Sequence, residues 1–108
     1  MEKIKILWAD DEIDLLKPQL LFLEKRGYDV ITVTNGYDAL EEIEENKDIA
    51  LVFLDESMPG LTVLETLPKI KEIRPHVPVV MITKNEAENV MEEALGSQIS
   101  DYLIKPVN

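Results

Sequence analysis

The sequence predicts one α/β domain built on an open parallel sheet, and three observations lead there. Five short apolar runs alternate with longer amphipathic ones. Two of the short runs, Leu51–Leu54 and Val79–Ile82, are apolar almost without interruption, as strands covered on both faces are. The 108 residues, with a hydrophobic content of 45%, suit a single packed core. We therefore read residues 1–108 as one domain, with right-handed crossovers between parallel strands.

Taken in order, Ile4–Trp8 reads as the first strand. Ile13, Leu16, Leu20 and Leu23 then recur at helical spacing, with Gly27 as a stop and Pro18 close to the helix start. Val30–Val33 is mixed in polarity and reads as an edge strand. Gly36 to Asn46 carries Ala39, Leu40 and Ile43 on one face, while Glu41, Glu42, Glu44 and Glu45 form a solvated one. After the third strand, Thr62-Val-Leu-Glu65 has the form of a capping box opening a third helix. Pro68 leaves that helix either kinked or late to start. The fourth strand is followed by Asn85 and Glu88 as caps of a helix that turns Ala87, Val90, Met91 and Ala94 inward. Tyr102–Ile104 is the fifth strand. Trp8 reads as core, and His76, between Pro75 and Pro78, as a surface loop residue.

Charge narrows the function. There are 22 acidic residues against 11 basic ones, for a net charge of -11. Such a surface repels nucleic-acid backbones and anionic lipid heads, so neither is expected as a direct partner. No cysteine is present, which excludes a disulfide framework and a thiolate metal site. No signal-peptide pattern opens the chain, and no apolar run approaches the ~18–20 residues of a membrane span, so a cytoplasmic location is expected.

Sites in open α/β sheets lie at the carboxyl ends of the strands. Here those ends carry Asp10, Asp11 and Glu12 after strand one, Asp55 after strand three, Thr83 after strand four and Lys105 after strand five. Crowded carboxylates repel unless a cation sits among them, and Mg²⁺ suits a few carboxylate oxygens completed by water. A hydroxyl and an ammonium group added to that set fit a phosphoryl group, with a carboxylate as attacking nucleophile. Singly, each acid could cap a helix, Thr83 could do the same, and Lys105 could be a solvated lysine. Their joint placement at strand ends carries the reading. A dinucleotide or flavin cradle is excluded because the first turn is acidic and has no glycine.

The segments Trp8-Ala9-Asp10-Asp11-Glu12, Leu54-Asp55-Glu56-Ser57-Met58-Pro59-Gly60, Met81-Ile82-Thr83 and Tyr102-Leu103-Ile104-Lys105-Pro106 resemble, in order and spacing, the receiver domains of two-component response regulators. The resemblance covers essentially the whole chain. It implies a flavodoxin-like (CheY-like) doubly wound sheet of order 2-1-3-4-5. It implies Asp55 as phosphoacceptor, with Mg²⁺ held by Asp10 through water, by Asp11 and Asp55, and by the Ser57 carbonyl. Lys105 matches the family's phosphate-binding lysine, and Thr83 with Tyr102 its switch pair. A sensor histidine kinase is the implied donor and an output domain or protein the implied recipient. The domain would then be a signalling module and no enzyme beyond its own phosphorylation and dephosphorylation. The wording of Asp11–Pro18 and Tyr102–Asn108 is similar to PorX-like regulators, whose receiver precedes a PglZ-type domain.

Three departures stand out. Val63 replaces a usual glycine, and Lys84 a usual small residue, where its long cation could cover the phosphoryl site. The family's fifth helix is missing from this chain, which is expected to uncover apolar surface and offer a face for homodimer formation. Two alternatives follow. One is a pseudo-receiver that binds partners without phosphate. The other is a Mg²⁺-dependent phosphatase, which would need an Asp-x-Asp motif that Asp10-Asp11-Glu12 does not provide. For Tyr102 the plain alternative is a half-buried aromatic near the sheet edge.

Overall fold

The computed structural model describes residues 3–56, 58, 60–61, 63–83 and 101–104, of which 63–64 and 101–104 are described through the backbone alone. The elements are β1 (Ile4–Ala9), a 3-10 turn (Ile13–Leu16), α1 (Lys17–Lys25), β2 (Tyr28–Val33), α2 (Gly36–Glu45), β3 (Ile49–Asp55), α3 (Val63–Ile73), β4 (Val79–Thr83) and β5 (Asp101–Ile104). All pairings are parallel, in the order β2-β1-β3-β4-β5. β2 lies at an edge, as its mixed polarity predicts. The helix expected between β4 and β5 lies outside the described residues.

Alternation along the strands sends side chains to two cores. Leu7, Ala9, Val52, Leu54, Val79 and Met81 pack with Ala39 and Ile43 of α2 and Leu67 and Ile70 of α3. Their neighbours Trp8 and Ile82 face the other way, with Phe53, Leu16, Leu20 and Leu23 packed around them. The sheet is thus covered on both faces, which is why its central strands carry few polar residues. Trp8 and Phe53 stack at 4.7 Å between ring centroids. The Trp8 indole nitrogen is buried without a hydrogen-bond partner among the described residues.

Proline explains two local features. The segment expected as one helix from Ile13 is a 3-10 turn that passes into α1 only at Lys17. Pro18 lacks the N–H that would bond back to Asp14, so the α-helical ladder cannot run through it and Pro18 sits in the first turn instead. Pro68 does not delay α3, which runs from Val63 to Ile73 with the proline inside and exposed. The interior proline costs roughly 3 kcal/mol. Burial of Leu67 and Ile70, at about 1.5–3 kcal/mol each, offsets it. Thr62, the expected cap, lies outside the described residues. Lys71 donates to the Val77 carbonyl at 2.6 Å, and burial holds its ammonium below the usual lysine pKa.

The α2 start is fixed by Asn35, whose Oδ1 accepts from the Asp38 N–H at 2.8 Å while its Nδ2 donates to the Asp38 carboxylate at 3.0 Å. Gly36 follows, and here the side chain must be hydrogen. A Cβ would stand 2.6 Å from Thr66 Oγ1 and 2.9 Å from Leu61 Cβ. Gly36→Ala is therefore expected to destabilise by about 1–3 kcal/mol. The helix-propensity gain of at most about 1 kcal/mol is too small to reverse the sign. Urea unfolding measures it, and an unchanged or raised midpoint would show that α2 and α3 can move apart cheaply.

Candidate functional site

The site lies where β1 and β3, adjacent in the sheet, end side by side. Ala9 pairs with Leu54, so Asp10 and Asp55 emerge next to each other. Both are buried, at 0% and 1% exposure, while most other acids among the described residues face water. Two devices hold Asp10. Its N–H donates to the Val33 carbonyl at 3.0 Å, which extends the β1–β2 ladder by one residue. Its Oδ1 accepts from the Glu12 N–H at 2.8 Å, which turns the chain sharply into the 3-10 turn. Asp11 projects outward and is exposed.

One carboxylate oxygen from each of Asp10, Asp11 and Asp55 lies within 4.8 Å of the others. The expected triad is therefore assembled. For a hard divalent cation with ligands at about 2.1 Å, oxygens on opposite sides stand about 4.2 Å apart. Only one pair of the three can be opposite, and the other pairs stand about 3.0 Å apart, so oxygens within 4.8 Å of one another draw in by up to about 1.8 Å to share such an ion, or one acts through water. The donor set is oxygen only, which suits Mg²⁺. Asp11, on the solvent side, leaves a path for the ion and its waters.

The β4 side supplies the hydroxyl. Asp55 pairs with Ile82, and Glu56 N–H donates to the Ile82 carbonyl at 3.0 Å. Thr83, the last residue of β4, is thereby brought beside the end of β3 and is 4% exposed. Its Oγ1 donates to Glu56 Oε1 at 2.6 Å. By sequence, Glu56 belongs to a matched segment and carries no role of its own. Its place directly after Asp55, facing the end of the adjacent strand, was the available signal.

β5 pairs with β4 so that Met81 aligns with Tyr102 and Thr83 with Ile104. Lys105 follows that last pair in sequence. Lys105, Ser57 and Lys84 lie outside the described residues, and Tyr102 is placed by its backbone only. Val63 enters α3 as a helical residue. The left-handed conformation in this region belongs to Gly60, at φ 84°, whose bare face meets the Tyr37 ring. His76 is exposed and stands apart from the site. Among the described residues no helix is long and apolar enough to cross a membrane.

Comparison with known proteins agrees with this geometry. The family model for the response regulator receiver domain matches residues 6–108. A transcriptional regulatory protein CpxR homolog of Haemophilus influenzae is 39% identical over 106 residues, covering 96% of this chain and 44% of that protein. The transcriptional regulatory protein ZraR of Klebsiella oxytoca is 37% identical over 107 residues, covering 99% of this chain and 24% of its own. The chain thus spans less than half the length of these curated relatives. A two-component response regulator from Clostridium difficile superposes with a TM-score of 0.87 at 30% identity, covering 98% of this chain and 86% of that one. The receiver domain of the sensor histidine kinase PA1611 from Pseudomonas aeruginosa, described with a magnesium ion coordinated in its active site cleft, has the same fold at 24% identity and a TM-score of 0.84. It covers 98% of this chain and 88% of that one. With buried Asp10 and Asp55, exposed Asp11 and the β4 hydroxyl meeting at one end of a parallel sheet, and with a match running from Ile6 to the last residue, the chain belongs to the response regulator receiver domain family.

Proposed function

We propose that this domain takes a phosphoryl group onto Asp55 from a sensor histidine kinase and uses it to switch an output. The observation that carries the reading is the gathering of three carboxylate oxygens within 4.8 Å, two of their residues buried, beside the buried hydroxyl of Thr83. Burying two acids together costs stability unless the site works with a cation, so the arrangement calls for a functional explanation. Mg²⁺, when bound by Asp10, Asp11, Asp55 and the Ser57 carbonyl, would neutralise oxygens of the transferring group. The magnesium described in the PA1611 receiver is a precedent in this fold.

The protein's own residues then divide the work. An Asp55 carboxylate oxygen forms the new O–P bond as the P–N bond of a phosphohistidine breaks, and the electron pair stays on the imidazole nitrogen. Asp55 is held at the end of β3, so its approach is oriented before the donor arrives. Thr83 donates to one phosphoryl oxygen and Lys105 pairs with another. The acyl phosphate adds about −1.5 to −2 charge, and the movement of Thr83 towards it repositions Tyr102 and the surface around β5. The domain is a signalling module, catalytic only towards its own phosphorylation and dephosphorylation. Its place is the cytoplasm, with the kinase. The wording of Tyr102–Asn108 supports a PglZ-type output, and a homodimer is a second means of relaying the switch.

Incubation with acetyl phosphate and Mg²⁺ is expected to add the mass of one phosphoryl group. The same mixture with excess EDTA is expected to add none. A gain that ignores EDTA, or no gain at all, would count against the reading.

A further inference from the structure

Thr83 makes a bond that the phosphoryl chemistry cannot keep. A threonine hydroxyl has one proton and donates one hydrogen bond. That proton goes to Glu56 Oε1 at 2.6 Å, within the short range of about 2.5–2.7 Å of a hydroxyl bonded to a carboxylate. The geometry is set in advance by the Glu56 N–H bond to the Ile82 carbonyl, which ties the residue after Asp55 to the residue before Thr83. Glu56 is half-buried as a residue, but its second carboxylate oxygen is covered, so the bond to Thr83 is made away from bulk water.

We propose that Glu56 is a positioning residue that holds the Thr83 hydroxyl in the unphosphorylated arrangement and so sets the threshold for switching. This rests on the proposed role of Asp55 and Thr83. A phosphoryl group on Asp55 and the Glu56 carboxylate compete for one proton, and the phosphoryl charge also repels Glu56. The two effects act in the same direction. Phosphorylation pulls the hydroxyl away from Glu56 and pushes Glu56 off, which makes the two states more distinct. A ligand that needs the released state binds weaker by the fraction of molecules already released. Removing the acceptor therefore tightens binding of anything that needs Thr83.

The test is equilibrium binding of beryllofluoride, a non-hydrolysable phosphoryl stand-in, in the presence of Mg²⁺. Glu56→Ala is expected to bind about tenfold tighter than wild type, and Glu56→Gln, whose amide oxygen still accepts, only a few-fold tighter. Loss of a nearby negative charge would also tighten an anion, so the same replacement is made in a Thr83→Val background. There the tenfold gain should shrink to the few-fold effect of charge alone. An equal gain in both backgrounds would show that Glu56 acts only through its charge and overturn the proposal, as would no gain in either. Failure of the wild type to bind beryllofluoride would instead count against the reading of Asp55, and the proposal would fall with it.

Discussion

Asp55→Asn should take up no phosphoryl group from acetyl phosphate and Mg²⁺, under conditions where the wild type gains one. The loss should be complete by intact mass, at least a hundredfold in rate, because the replacement removes the nucleophile and not merely a contact. The amide is a neutral near-isostere at a position 1% exposed at the end of β3, so the fold should persist. Retained helical circular dichroism and a cooperative unfolding transition would check that. Among the described residues, neither of the carboxylates gathered with Asp55 is placed to substitute at full rate. Asp10 is committed through its Oδ1 to the Glu12 N–H, and Asp11 is exposed. Continued uptake by the variant at the wild-type rate would move the acceptor elsewhere.

The second large effect concerns the metal-free protein. Two unit charges within 4.8 Å repel by about 3 kcal/mol at an effective dielectric near 20, an upper figure once the exposure of Asp11 is counted. Asp10→Asn keeps an oxygen to accept from Glu12 N–H, and its new amide hydrogens face the carboxylates of Asp11 and Asp55. Without Mg²⁺ the variant should therefore be more stable than wild type by about 1 kcal/mol. Addition of Mg²⁺ should reverse the order. At a hundred times its dissociation constant, a ligand bound only by the folded state adds about 2.7 kcal/mol, or roughly 10–20 °C in Tm for a domain of this size. The wild type should show that rise and Asp10→Asn little of it. Calorimetric scans with EDTA and with Mg²⁺ would read both signs. A variant less stable than wild type in EDTA would mean that Asp10 serves mainly as a structural cap.

Much of this could be read from the sequence, for identifiable reasons. Leu51–Leu54 and Val79–Ile82 announced central strands because burial on both faces leaves no room for polar alternation. Asp10, Asp11 and Asp55 were found because strand ends in such sheets converge, so linear positions translate into one place. Proline was legible as a disturbance but not in its outcome. Pro18 split the first helical segment into a 3-10 turn and α1. Pro68 was absorbed into α3, where the packing of Leu67 and Ile70 decides. Glu56 is marked in the sequence only by its place directly after Asp55, and its partner is not legible there. Its bond to Thr83 spans 27 positions and depends on the parallel register of β3 and β4, which no local pattern encodes. The sequence marks Gly36 only as the start of a helical stretch. Its need for a bare Cα comes from Thr66 and Leu61, on the approach of α3.

The most direct test of the central claim is to locate the phosphoryl group in the wild-type chain. After treatment with acetyl phosphate and Mg²⁺, borohydride reduces an aspartyl phosphate to homoserine, and peptide sequencing by mass then reads which aspartate has changed. The account expects the homoserine mass at position 55, and only in samples that contained Mg²⁺. Reduction at Asp10, Asp11 or any other acid, with Asp55 intact, would contradict it.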